Sequence, residues 1–173
     1  MFVHKYDKRN AASIGSKSER LFIGLASKRG FEVKHSSPQQ NKIQKIDFYL
    51  TKNDVTKGFD VKARKKLSAS HQNYNDDWMW VEFKNADGFK GWLYGEADYI
   101  AFEKKDYYLI VDRISLLNFS LKAVDFSKEF ARFSEDAKYR LYNRRDSEEI
   151  ALVKTSDVKK INRTAIWNKN YGL

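Results

Sequence analysis

The chain contains no cysteine, and among its 173 residues it has one proline and three histidines. Without cysteine there can be no disulfide, thiol nucleophile or thiolate zinc site, and a reducing compartment is favoured. No apolar run approaches the roughly 20 residues needed to cross a bilayer, and the first residues lack the apolar segment of a signal peptide. We therefore expect a soluble protein with no membrane partner, located in the cytoplasm, or in the host cytoplasm if the source is viral.

Several catalytic motifs are missing as well. The sequence has no Gly-x-Ser-x-Gly elbow, no Gly-rich phosphate loop ending in Lys-Ser or Lys-Thr, and no paired-histidine zinc motif. These absences argue against a serine hydrolase, a P-loop nucleotide site and a zinc hydrolase.

The composition that remains is that of an ordinary folded protein. Hydrophobic residues make up 42% of the chain and aromatic residues 15%, which is too apolar for a disordered chain. A chain of this length can bury its apolar surface in one core. We expect an irregular, basic N-terminal arm at residues 1–15, followed by a single domain at residues 16–173.

The positive charge is concentrated in the first half of the chain. The whole chain has a net charge of +10, and residues 1–75 contain 16 Lys and Arg against 6 Asp and Glu, whereas residues 76–173 contain 17 of each. A basic surface attracts polyanions such as nucleic acid. The alternative is that the charge only maintains solubility.

Hydrophobic spacing predicts an α/β protein. A helix is expected from Ser16 to Gly30, with Ser16 and Glu19 at the spacing of a capping box. A turn is expected at residues 51–57 and a short helix at residues 156–161, while residues 126–133 cannot be placed. Apolar runs predict strands at residues 31–35, 46–50, 58–66, 78–84, 97–103, 107–112 and 150–154.

Acidic and basic side chains converge in the hairpin formed by residues 46–50 and 58–66. Asp60 and Lys62 are two residues apart, so they point to the same face of a strand. Asp47 opens the preceding strand. Two carboxylates and one ammonium group can therefore meet at one edge of the sheet, and oxygen ligands of this kind select hard divalent ions.

An Asp on one strand followed by Asp-x-Lys on the next resembles the PD-(D/E)XK nuclease superfamily, in particular its small phage-type or Holliday-junction-resolvase-like members. The resemblance covers residues 16–103. Ile46 stands where the family often has proline, and Glu19 matches the Glu that members place on a preceding helix. The resemblance implies a restriction-endonuclease-like core, in which helices flank a central mixed β-sheet.

The resemblance also implies the roles of the site residues. Asp47, Asp60 and the backbone carbonyl of Val61 would bind Mg²⁺, for which Mn²⁺ would substitute, and Lys62 would orient or help to deprotonate the attacking water. Glu19 would contribute to the metal or position water. Its alternative role is to cap the helix.

A second acid-x-Lys pattern, Glu82 and Lys84, creates an ambiguity. Glu82 is either an additional metal ligand or a surface partner of Lys84 or another cation. Cations, hydroxyls and amides that suit phosphate contacts occur at Arg64, Lys65, Lys66, Ser70, His71, Gln72, Arg144 and Arg145. Alternatively, these residues form a solvated surface. Trp92 and Tyr94 are candidates either for base stacking or for the core.

The sequence thus predicts a Mg²⁺-dependent DNA endonuclease that selects DNA by structure, such as a junction, flap or end. A homodimer would let two such sites cut two strands. The alternative is a catalytically inactive module with the same fold that binds nucleic acid or another protein. RNA is a lesser option as substrate.

Overall fold

The computed structural model describes residues 8–68, 71–145 and 147–172, with side chains from residue 15 onward. It is an α/β structure with a mixed, mostly antiparallel sheet of six strands and a second sheet of two strands. The elements are α1 (Lys8–Lys28), β1 (Glu32–His35), β2 (Phe48–Lys52), β3 (Val55–Lys62), β4 (Trp78–Lys84), β5 (Tyr99–Glu103), β6 (Tyr107–Asp112), α2 (Arg113–Ala123), β7 (Glu149–Lys154), α3 (Thr155–Val158) and β8 (Thr164–Asn168).

The large sheet has the strand order β1-β2-β3-β5-β6-β8, and the small sheet pairs β4 with β7. The pairing of β3 with β5 is parallel, and the other pairings in both sheets are antiparallel. Because β3 and β5 are parallel, the chain must cross over between them, and β4 lies in that crossover.

Two apolar layers cover the two faces of the large sheet. On one face, Phe22 and Leu25 of α1 pack in a cluster with Phe48 and Phe59. On the other face, the β4–β7 sheet and α2 share a cluster with alternate residues of β5 and β6. The alternation of neighbouring residues between the two clusters follows from the two-residue period of a strand.

The β2–β3 hairpin is tighter than its sequence predicts. The turn is formed by Asn53 and Asp54, whose φ angles are 50° and 60°, instead of by residues 51–57. Asn and Asp tolerate the left-handed conformation that a two-residue hairpin loop requires. Both strands are therefore longer on the turn side than expected.

Helix α1 begins earlier than predicted. It extends upstream to Lys8, so the prediction of an irregular arm is wrong for residues 8–15, and residues 1–7 lie outside the described part of the chain. Ser16 lies inside the helix, and the capping-box role of Glu19 is therefore wrong as well. The predicted end at Gly30 is confirmed, because this residue has a φ of 78° just after the helix.

Two elements in the second half were not predicted, and one segment has no regular structure. Helix α2 begins after Asp112, whose side chain accepts a hydrogen bond from the Ser115 N–H at 2.8 Å. Strand β8 pairs with β6 at the edge of the sheet. The segment 126–133 contains neither helix nor strand. Among the described residues, no helix is both long and apolar enough to span a membrane.

Candidate active site

Asp47, which immediately precedes β2, lies next to Asp60, which is near the end of β3. Phe48 pairs with Phe59 across the hairpin, and the two aspartates occupy the next position on the opposite face. Both phenylalanines pack against α1, so the carboxylates point toward the side covered by the small sheet. The predicted convergence of these two residues is therefore present in the fold.

The Asp47 carboxylate is fixed by hydrogen bonds to both oxygens. Its Oδ2 accepts the backbone N–H of Val61 at 2.7 Å, and its Oδ1 accepts Nδ2 of Asn41 at 2.6 Å. Asn41 belongs to the π-helical turn Gln40–Gln44 that precedes β2. The N–H and C=O of one strand residue point the same way, so the Val61 carbonyl faces the same edge as Asp47.

Asp60 is a buried carboxylate that forms an ion pair with Lys62. The residue is 3% exposed, and its Oδ2 lies 2.8 Å from Nζ of Lys62. The pair is close but its geometry is not that of a hydrogen bond, and no other donor within the described part of the chain satisfies this oxygen. A buried carboxylate oxygen without a hydrogen bond is costly, so its retention calls for an explanation.

The electrostatics of Asp60 are correspondingly unusual. Burial, opposed by the charge of Lys62 and reinforced by the neighbouring Asp47, raises the pKa of Asp60 to about 7. Two carboxylates that share a site cannot both ionise easily. A cation between them would remove this repulsion.

Lys62 is held in its charged form. Burial by itself lowers the pKa of Lys62, but the ion pair with Asp60 and the charges of Asp47 and Glu82 raise it above its ordinary value. The ammonium group also lies 5.0 Å from the centre of the Trp92 ring, a favourable cation–π arrangement. Lys62 is therefore suited to stabilising negative charge, and less suited to removing a proton from water.

Glu19 reaches the same group from helix α1. Burial raises its pKa, the charge of Asp47 raises it further, and His35 and Lys62 lower it. These influences show that the half-buried Glu19 lies close enough to Asp47 and Lys62 to sense their charges. Asp60 and Lys62 are thus in direct contact, Asp47 is bound to the Val61 N–H between them, and Glu19 lies within electrostatic range of the group.

The second acid-x-Lys pattern is used differently. Lys84 forms a 2.6 Å ion pair with Glu149 of the neighbouring strand. Glu82 accepts the backbone N–H of Trp92 at 3.3 Å and influences Lys62 only through its charge. Its structural role therefore dominates, and Trp92, which is 7% exposed, belongs to the core.

The predicted nucleic-acid contacts separate into different groups. Arg64 is tied to Asp76 by two hydrogen bonds of 2.9 and 3.0 Å, so it fastens a loop. His71 and Gln72 are exposed and line a shallow depression with residues 73–75. Lys66 lies beside the Tyr74 ring.

The other predicted contacts lie elsewhere. Lys65 and Arg144 line a cleft that also includes Lys62. Arg145 is half-buried on the same segment as Arg144. The prediction for Ser70 lies outside the described residues.

The donor set fits a hard divalent cation bound by few protein ligands. Mg²⁺ is usually held by one or two carboxylates together with water and substrate phosphates, and Asp47 and Asp60 provide two carboxylates of which one has an unsatisfied oxygen. Among the described residues, no three His, Cys, Asp or Glu side chains are grouped closely enough to hold a metal. Neither Glu19 nor Glu82 therefore completes a cluster of three acids with this pair.

Sequence reasoning missed two residues that shape the site. Asn41 holds Asp47, and Glu148, which is 2% exposed, holds Arg144 through two hydrogen bonds. Asn41 gave no signal because it lies in an irregular polar loop. Arg144 and Glu148 gave no signal either, because the i, i+4 rule applies to helices and the described residues of this segment are not helical.

Comparisons of the chain with protein-family models, with curated protein sequences and with solved structures give no match. Function must therefore be inferred from the geometry and chemistry of the site.

Proposed function

We propose that the protein is a Mg²⁺-dependent DNA endonuclease with a restriction-endonuclease-like core. The observation that carries this proposal is the buried Asp60 carboxylate, which lies beside a second carboxylate, Asp47, and 2.8 Å from the Lys62 ammonium. Paired acids and a lysine on adjacent strands, with Glu19 approaching from a preceding helix, are also what the resemblance to PD-(D/E)XK nucleases implies.

Each residue has a role that follows from its surroundings. Asp47 and Asp60, with the Val61 carbonyl, would hold the divalent ion, which would neutralise charge on the phosphate and lower the pKa of bound water. Asn41 keeps Asp47 in place. Lys62, which is cationic, would orient the attacking water and stabilise the charge that develops on the phosphate oxygens. Glu19 would position water at the edge of the site.

DNA is the proposed substrate because the chain carries an excess of positive charge in the half that contains the site. A phosphodiester backbone is bound largely through such charge. Selection by DNA structure is inferred by analogy with small junction-resolving members of the resembling family.

Cleavage assays test this proposal directly. Supercoiled plasmid, linear duplex, a flap and a four-way junction would be incubated with purified protein in Mg²⁺ or in EDTA. We expect cleavage in the presence of Mg²⁺ and none in EDTA, with the highest rate on a branched substrate. Asp60→Asn and Lys62→Ala should each reduce the rate by at least about a hundredfold, while exposed Asp87→Asn should cleave like the wild type.

The assay also separates this function from that of a binding module. If the wild-type protein binds the DNA substrates but cleaves none of them in Mg²⁺ or Mn²⁺, the endonuclease proposal is wrong and the inactive module is favoured. If cleavage occurs but is unaffected by Asp60→Asn and Lys62→Ala, the site is wrongly placed.

A further inference from the structure

A narrow cleft is lined by residues of both sheets and includes Lys62 but neither aspartate in its walls. It encloses about 40 Å³ of free space, and its walls include Lys62, Lys65, Arg144, Trp80 and Trp92. A single water needs roughly 10–15 Å³ on this scale, so the cleft has room for about three waters. That is enough for a tetrahedral oxyanion and far too little for a nucleobase.

Some charged groups around the cleft already have partners. Arg64 is bound by Asp76, and the buried Lys104 donates to the Thr155 hydroxyl at 2.9 Å and to the Asp76 carbonyl at 3.0 Å. Of the acids, Glu103 is paired with Lys169 at 2.8 Å. These groups fasten the walls of the cleft and have little capacity for a further ligand.

Arg144 is different because its partner presents it to the cleft. Glu148 is 2% exposed and accepts two hydrogen bonds from the Arg144 guanidinium, at 2.9 and 2.5 Å. Such a two-point contact fixes the plane of the guanidinium. The same residue lines the cleft, so Arg144 is a pre-oriented cation at the cleft wall.

Lys65 is a cation in an unfavourable place. Its ammonium forms no ion pair or hydrogen bond with any residue that the structure describes, and burial followed by the charges of Arg144 and Lys62 lowers its pKa to about 8. The charges of Glu82 and Glu148 oppose this lowering in part. Lys65, which is exposed as a whole residue, lines the cleft together with two other cations, Lys62 and Arg144. An anion among them would relieve the repulsion.

We propose that this cleft is a phosphate-binding pocket in which Lys65 and Arg144 hold a phosphate group of the nucleic acid next to the metal site. The identification of the phosphate as part of DNA rests on the proposed function. The pocket itself rests on the size of the cleft, on the pre-oriented Arg144 and on the unpaired Lys65. It would hold the DNA strand through a phosphate beside the one that is cleaved.

Inorganic phosphate is the first probe, because it tests the pocket without any catalytic event. We expect phosphate at millimolar concentration to raise the melting temperature of the wild-type protein by more than chloride does at the same ionic strength. Lys65→Gln should lose this stabilisation and Lys65→Arg should keep most of it. The matched control, Lys122→Gln, removes an exposed charge on α2 and should respond like the wild type.

DNA binding is the second probe. Without metal, Lys65→Gln should weaken binding of a 20-base-pair duplex about tenfold and reduce the slope of log affinity against log salt by about 0.9, the value for one lost phosphate contact. Arg144→Lys should weaken binding in the same direction. This variant retains a cation near Glu148, whereas Arg144→Ala would leave a buried carboxylate unpaired and endanger folding.

Duplexes with 5′-phosphate, 3′-phosphate or hydroxyl ends distinguish the source of the phosphate. If Lys65→Gln weakens binding equally for all three kinds of duplex, the pocket binds an internal phosphodiester. If binding is weakened only for one kind of phosphorylated end, the pocket binds a terminal phosphate. If phosphate raises the melting temperature of Lys65→Gln as much as that of the wild type, the pocket proposal is wrong. A protein that cleaves no DNA but loses its phosphate response in Lys65→Gln would overturn the endonuclease proposal and leave the pocket standing.

Discussion

Replacing Asp60 with asparagine should stabilise the protein at pH 8 while removing metal-dependent activity. Burial and the neighbouring Asp47 raise the pKa of Asp60 from 3.8 to about 7, a shift of about three units. Each unit corresponds to about 1.4 kcal/mol. Ionised Asp60 therefore lowers the free energy of unfolding by about 4 kcal/mol compared with a carboxylate whose pKa is unchanged by folding.

The sign of the pH dependence follows from this shift. Between about pH 4 and pH 7, the folded state binds more protons at Asp60 than the unfolded state does. The contribution of Asp60 to stability therefore falls as the pH rises through this window and stays low above it. Asparagine does not titrate, so the stability of Asp60→Asn relative to the wild type should increase over the same window.

The expected gain is smaller than the full 4 kcal/mol. The substitution leaves Lys62 without its closest partner, although the Lys62 side chain is 24% exposed and can gain water. We expect Asp60→Asn to be more stable than the wild type by about 2 kcal/mol at pH 8 and less stable by about 1 kcal/mol at pH 4.5, because the pKa shift changes the difference by about 3 kcal/mol over this range. Such a gain is typical when a residue is kept for function at the expense of stability.

Urea denaturation at pH 4.5, 6 and 8 measures this difference, and Asp87→Asn is the matched control because Asp87 is exposed. The control should differ from the wild type by less than about 0.5 kcal/mol at every pH. The reasoning would be refuted if Asp60→Asn were less stable than the wild type at pH 8, or if the difference did not change between pH 4.5 and pH 8.

Two further variants test the supports of the site. A Cβ at Gly91 would lie 2.3 Å from the Glu82 carbonyl oxygen, so Gly91→Ala should lower the free energy of unfolding by about 1–3 kcal/mol in urea denaturation. A Cβ at Gly24 would meet nothing within 4 Å, so the control Gly24→Ala should not lower it. An equal loss of stability in both variants would contradict the close packing at Gly91. Asn41→Ala removes the hydrogen bond to Asp47 and should weaken Mn²⁺ binding measured by calorimetry about tenfold or more, whereas unchanged affinity would show that Asn41 does not support a metal ligand.

The hairpin that carries the site was predictable because several local signals agree there. The apolar alternation around Asp60 fixes the strand face, and Asn53 and Asp54 indicate a turn between the strands, although the turn is tighter than the predicted segment 51–57. Strand β4 was also predicted with its observed bounds, since its aromatic and β-branched residues alternate between core and half-buried positions. Local propensity and tertiary packing point to the same structure in these elements.

Other elements could not be predicted because tertiary contacts decide them. Helix α2 buries only Leu116 and Ser120 completely while Ile114 and Leu121 stay exposed, so its apolar pattern is weak. Strand β8 has no buried residue and depends on pairing with β6. The lining of the proposed phosphate pocket joins Lys65 and Arg144, which are far apart in sequence and meet only through the packing of the two sheets.

A crystal structure of the protein soaked with Mn²⁺ tests the central claim most directly, because the anomalous signal identifies the metal and its ligands without relying on activity. We predict one strong peak bound by the carboxylates of Asp47 and Asp60 and by the Val61 carbonyl, with Lys62 displaced from Asp60, and no such peak in Asp60→Asn. A wild-type structure with no peak between the two carboxylates at a saturating Mn²⁺ concentration would contradict the account.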